Sequence, residues 1–166
     1  MEKTVNTINK THSITEQEII AVQKEWANGI ENIGEIYINK GDYKARAVQH
    51  IKELYAYDLG DVLFKPTMAS EKQFRTTFED ALSYFVGGHI SEDNGFAIKP
   101  WSKVRFGEQN IIIGNDSATA MGNYYFTEVG SEEENKVEYT FCYIKDAADG
   151  KLRINVHHSS IPFYPN

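Results

Sequence analysis

The feature that most constrains the fold is a change of rhythm near residue 95. Before it, apolar residues recur every three or four positions; after it, they come in short alternating runs. "GFAIKPW", "KVRFGEQNIIIGN", "SATAMGNYYFTEV", "NKVEYTFCYIKD" and "KLRINVHHSS" are rich in β-branched and aromatic residues, and "GND", "GSEEEN" and "DAADGK" separate them as turns. Helices followed by meandering strands is an α+β order, and strands joined by short turns pair antiparallel. A strongly curved sheet of this kind, packed on N-terminal helices, makes a cone with a deep pocket.

Residues 1–12 are polar and without periodicity, which predicts a flexible tail and leaves 13–166 as a single domain. The remaining chain is long enough, and with 41% hydrophobic and 13% aromatic residues apolar enough, to bury a core. Thr15 followed by Glu18 is a capping-box pattern. Behind it Ile19, Val22, Trp26, Ile30, Ile33 and Tyr37 form one helical stripe, weakened at Gly29 and Gly34. "NKGD" ends that helix. Asp42 caps a second one running to about Tyr57, with Val48, Ile51 and Tyr55 inward. "DVLFKPT" reads as a short strand closed by Pro66. In "RTTFEDALSYFVGG", Thr76 and Glu79 form a capping box for a third helix, and Gly87-Gly88 stop it.

A net charge of -7 with no Lys/Arg cluster argues against nucleic acid and anionic membranes as partners. "MEKTVNTINKTHS" has no apolar signal core, no run is long enough to span a bilayer, and the one cysteine, Cys142, allows no internal disulfide. A cytoplasmic protein is the expectation. His12, His50, His89, His157 and His158 form no HxH or HExxH pattern, and neighbours on a strand point to opposite faces, so no metal site is expected.

The last strand is the most informative. Alternation sets Leu152, Ile154 and Val156 on one face, and the next residues on that face are His158 and Ser160. An apolar face that turns polar before the apolar "IPFY" suggests a cavity mouth, where an imidazole and a hydroxyl two residues apart can share a bound water. Thr67 follows Pro66 where a short strand opens into the cavity, and Tyr84 lies beside the Ala81–Phe85 stripe. Each of these alone also fits a turn or a core position. "MGNYYF" divides into Met121, Asn123 and Tyr125 against Gly122, Tyr124 and Phe126, with the inward set undetermined.

Six blocks in this order, "LFKPT", "FRTTFEDALSYFVGG", "EDNGFAIKPWSKVRF", "AMGNYYF", "VEYTFCY" and "HHSS", resemble the SnoaL-like/NTF2-like proteins related to the calcium/calmodulin-dependent kinase association domain. More narrowly, they resemble the metal-free branch of the iota-class carbonic anhydrases, over about residues 15–164. The resemblance implies an NTF2-like cone, a homodimer, no cofactor, and reversible hydration of carbon dioxide to bicarbonate. It implies that Thr67, Tyr84 and a serine of "HHSS" hold the substrate. Strand parity favours Ser160 with His158, which could take or relay the proton; Ser159 becomes the serine if a bulge shifts the phase. The competing reading is a non-catalytic ligand-binding or oligomerisation module of the same fold. Isomerisation would need a carboxylate base in the cavity, and Glu79 and Asp80 more naturally serve the dipole of their helix.

Overall fold

In the computed structural model, which describes residues 13–166, the capping box closes as the sequence requires. Thr15 Oγ1 accepts the Glu18 amide at 3.2 Å, and the Glu18 carboxylate accepts the Thr15 amide at 2.8 Å. The expected tail, residues 1–12, lies outside the described residues. Helix α1 (Glu16–Ile38) is unbroken and buries Ile19, Val22, Trp26, Ile30 and Ile33. Its glycines do not weaken it. A Cβ on Gly29 would stand 2.1 Å from His50 Nδ1, so the missing side chain lets the second helix press against the first.

Helix α2 (Tyr43–Leu54) starts at the Asp42 cap and ends three residues before Tyr57. Tyr55 is already extended there, and the Ala56 amide bonds to Ile154 O at 2.9 Å in the sheet. Helix α3 (Phe78–Val86) is capped by Thr77, one residue later than the spacing predicts; its hydroxyl accepts the Asp80 amide at 3.2 Å. Gly87, at φ 74°, ends it.

Five strands follow the order β1-β5-β4-β3-β2 in one open sheet. They are β1 (Leu63–Lys65), β2 (Trp101–Ile113), β3 (Ser117–Glu128), β4 (Glu134–Lys145) and β5 (Leu152–Ser160). Strands β2 to β5 form the expected antiparallel meander, and β1 adds to β5 in parallel. "GFAIKP" makes a 3-10 turn, Phe96–Ile98, before β2 begins. The inner face of the sheet carries Ala118, Ala120, Tyr124 and Phe126 from β3 and Val137, Tyr139, Phe141 and Tyr143 from β4, all buried.

Strand β5 departs from simple alternation, and the departure decides the site. Tyr143 pairs with Ile154 and Cys142 with Val156, so β5 takes two steps where β4 takes one. Asn155 is the extra residue of a β-bulge. Beyond it the phase is reversed: Leu152 and Ile154 face the core, and then His157 and Ser159 do. Val156 is only half-buried, His158 faces solvent and Ser160 is half-buried. The inward placement of His158 and Ser160 that strand parity suggests is therefore corrected; the bulge turns both away from the core face.

Candidate active site

Three elements aim polar groups at one point in the apolar interior. Strand β1 ends at Lys65, and Pro66 hands the chain on to Thr67. Helix α3 supplies Tyr84, and β5 supplies His157 and Ser159. Thr67 Oγ1 lies 2.5 Å from Ser159 Oγ, and Ser159 Oγ accepts the Tyr124 hydroxyl at 2.5 Å. Tyr84 Oη accepts the Met68 amide at 3.4 Å. Thr67, Tyr84 and Ser159 are thus brought together, with Tyr124 as a fourth hydroxyl.

His157 stands behind this ring. Its Nε2 is 3.1 Å from the Tyr124 hydroxyl, and its Nδ1 is 2.8 Å from the Tyr55 hydroxyl. The Trp26 indole N–H donates to Tyr55 Oη at 3.0 Å. The imidazole is held flat between two rings, Phe141 at 4.1 Å and Phe64 at 4.8 Å between centroids. A cavity of about 10 Å³ touches Trp26, Phe64, Thr67, Tyr84, Phe96 and Ser159. That is room for about one water molecule. Tyr84 and Phe96, stacked at 5.5 Å, also line a surface hollow of about 270 Å³.

No group in the ring is poised to carry charge near neutral pH. Burial, with smaller contributions from His158 and His50, holds His157 well below the usual imidazole range. Burial likewise pushes the Tyr84 and Tyr124 phenols far above theirs. The arrangement can therefore donate and accept hydrogen bonds, and burial makes its imidazole a weak base. Among the described residues, no three His, Cys, Asp or Glu side chains converge as a metal site.

The loop carrying Thr67 is fixed by a charged clamp. Arg75, fully buried, grips Asp93 through two bonds of 2.6 and 2.7 Å and donates to Lys72 O at 2.7 Å and Asp80 O at 3.0 Å. The Arg75 amide bonds to Phe64 O at 2.7 Å, next to β1's last residue. Glu92 accepts the amides of Ser70, Glu71 and Lys72, which holds its carboxyl down to about 2.

Of the residues the sequence singles out, Thr67 and Tyr84 lie in this cluster, His158 and Ser160, which strand parity favours, do not, and Ser159, the alternative if a bulge shifts the phase, does. It assigns Trp26 and Tyr55 to the core without their polar ends, and leaves the face of Tyr124 undetermined. The available signal for Tyr124 is the match between the inward phase of β3 and the buried Ala118 and Ala120, which needs the sheet to be visible.

A model of the metal-independent carbonic anhydrase family matches residues 17–161. The chain is 42% identical over 156 residues to a metal-independent carbonic anhydrase of Nostoc sp., covering 91% of this chain and 75% of that one. Its fold matches a crystal structure of a cyanobacterial iota-carbonic anhydrase complexed with bicarbonate, with a TM-score of 0.88 and 39% identity over 99% of this chain and all of the other. A putative calcium/calmodulin-dependent protein kinase II association domain from Xanthomonas campestris shares the fold at TM-score 0.64 and 24% identity, over 93% of this chain and 97% of that one.

Proposed function

The chain belongs to the metal-independent carbonic anhydrase family, and from that premise we propose that Thr67, Tyr84 and Ser159 hold the reacting water in the small cavity and that bicarbonate forms on its Tyr84 and Phe96 side, where the same two rings line the surface hollow. The reaction is the reversible hydration of carbon dioxide to bicarbonate, without a metal. A non-catalytic module of the same fold is not favoured.

The observation that carries the site assignment is the contact of Thr67, Ser159 and Tyr124 hydroxyls beside a histidine that burial keeps neutral. Zinc enzymes lower the pKa of bound water from about 15.7 to about 7. Hydroxyls cannot do this, so free hydroxide is not the nucleophile here. Water is instead held against carbon dioxide, and its proton leaves as the new C–O bond forms. Charge then develops on the carbon dioxide oxygens. Tyr84 Oη already accepts the Met68 amide, so its hydrogen is free to donate. Thr67 provides a second donor. At about 3 kcal/mol each, two such donors lower the barrier by an amount equivalent to about 10⁴ in rate. Orientation of the water adds to this. No ring member accepts the released proton, so it passes through water to bulk buffer by way of the hollow at Tyr84 and Phe96. His158, turned to solvent, takes no part.

Two further readings go with this one. The outer face of the sheet, with Ile112 and Met121 exposed, serves as a homodimer surface; light scattering at working concentration tests it. A cytoplasmic location fits the acidic chain with its one free thiol, Cys142.

The decisive test is stopped-flow hydration of carbon dioxide in the presence of a strong chelator. Activity should persist in the parent chain and fall roughly a hundredfold, the scale of one oxyanion donor, in Thr67→Ala and Tyr84→Phe. Undiminished activity in both variants would remove these residues from the reaction.

A further inference from the structure

We propose that the indole N–H of Trp26 and the phenol of Tyr55 lock His157 as its Nε2–H tautomer, and that this lock decides which hydrogens the cavity hydroxyls offer to substrate. The inference deepens the proposed function and rests on Thr67 acting as a donor to bicarbonate.

The argument is a proton count along one buried chain. An indole nitrogen can only donate, so Tyr55 Oη accepts from Trp26 at 3.0 Å. The hydrogen of Tyr55 then has one polar neighbour left, His157 Nδ1 at 2.8 Å. With Nδ1 accepting, the ring's single hydrogen must sit on Nε2. The other end agrees independently: Tyr124 gives its only hydrogen to Ser159, so towards Nε2 at 3.1 Å it can only accept. Ser159, having accepted from Tyr124, donates to Thr67 Oγ1. The Thr67 hydrogen is then directed to the cavity side, where its protein neighbour is the Tyr84 hydroxyl and an entering anion can take it instead.

Reversing the tautomer reverses every member. An Nδ1–H ring would draw the Tyr124 hydrogen onto Nε2; Ser159 would donate to Tyr124 and Thr67 to Ser159. Thr67 would then present only lone pairs to the cavity, and an anion would meet an acceptor. The Nδ1–H form would also leave the buried Tyr55 hydrogen without a partner, because Nδ1–H and the Trp26 N–H would both point at its oxygen. The imidazole, clamped between Phe64 and Phe141, cannot escape this by turning over. Trp26 and Tyr55 are therefore positioning residues that act through His157.

The test is nitrogen-15 NMR of the full chain with labelled histidine, His157 being identified by its contacts to the rings of Phe64 and Phe141. The expected result is a proton on Nε2 and a bare, accepting Nδ1. A proton on Nδ1 overturns the proposal with no variant needed. In Tyr55→Phe the expected spectrum is a mixture of both tautomers, with kcat/KM for bicarbonate down roughly tenfold, the scale of one misdirected hydrogen bond. Trp26→Phe, which leaves the Tyr55 donor in place, should shift the tautomer less. A Tyr55→Phe protein that keeps pure Nε2–H and full activity also overturns the proposal. If the lock is seen but Thr67→Ala remains fully active, the proposed substrate contacts fail instead.

Discussion

Two buried polar clusters meet at Tyr84 and are built on opposite principles. On one side the chain from Trp26 to Thr67 is uncharged throughout, its histidine kept neutral by burial. On the other, the Arg75 guanidinium lies 5.8 Å from the Tyr84 ring and is charged, gripped by Asp93 and approached by Glu92. In the proposed reaction the first cluster must not already be paired with an ion, because the anion would form beside it. The second never meets substrate and can therefore be closed electrostatically. A buried charge is tolerable only when it is fully paired, whereas a neutral network needs only its hydrogen bonds complete. On this proposal stability is concentrated in the clamp, and chemistry in the ring.

The comparison breaks most visibly at the clamp. Asp93→Ala strands the Arg75 charge in the interior and should cost about 3–5 kcal/mol in urea unfolding. It should also loosen the loop that carries Thr67. A loss below about 1 kcal/mol, the range of a surface ion pair, would mean that the clamp is not the anchor of this region.

The neutral side has its own signature in pH. His50 is pushed down to about 3 by burial, with the Arg46 charge adding to it, and His157 is also lowered by burial. In the unfolded chain both titrate near 6.5. Below that pH the unfolded state binds protons that the folded state refuses, so stability is full above about 6.5 and is lost as pH falls. Between pH 6 and 5 each histidine should remove about 1.4 kcal/mol per pH unit. His50→Leu should roughly halve the slope. A flat stability profile over that interval would show that the imidazoles are protonated in the fold.

The two histidines also sharpen what a complete network is. His157 has a partner on each ring nitrogen, while neither nitrogen of His50 has a hydrogen-bond partner. His50 lies between Trp26 and Phe85, at 6.1 and 5.8 Å. His50→Leu should therefore be less destabilising at pH 8 than His157→Leu, which leaves the buried Tyr55 hydrogen without an acceptor at about 1–3 kcal/mol. Thermal unfolding of the pair at that pH decides it.

The order of elements, the caps at Thr15 and Asp42 and the inward stripe of α1 from Ile19 to Ile33 were legible in the sequence, because each is a local consequence of spacing; Tyr37, counted in that stripe, is exposed at the end of the helix. Thr67 and Tyr84 were singled out by the resemblance of the blocks around them, since each alone reads equally as a turn or core residue. The phase of β5 was not legible. A bulge is a relation between two strands: Asn155 is extra only because Cys142 and Tyr143 opposite it are consecutive. Alternation within "INVHHSS" carries no trace of that partner, so parity placed His158 and Ser160 inward where the fold places His157 and Ser159. Trp26 and Tyr55 were legible as apolar bulk. Their hydrogen bonds to one another and to His157 join three elements far apart in the chain, and spacing has no means of showing them. The smallest expected effect follows from the same bulge: His158→Ala should leave hydration activity unchanged and shift unfolding by no more than about 0.5 kcal/mol.

The most direct test sets two adjacent serines against each other. Stopped-flow carbon dioxide hydration should fall roughly tenfold in Ser159→Ala, the scale of losing the hydrogen bond that directs the Thr67 hydrogen to substrate, and stay at the parent rate in Ser160→Ala. The reverse pattern, with Ser160 needed and Ser159 dispensable, would contradict the bulge-set phase and the hydroxyl site built on it.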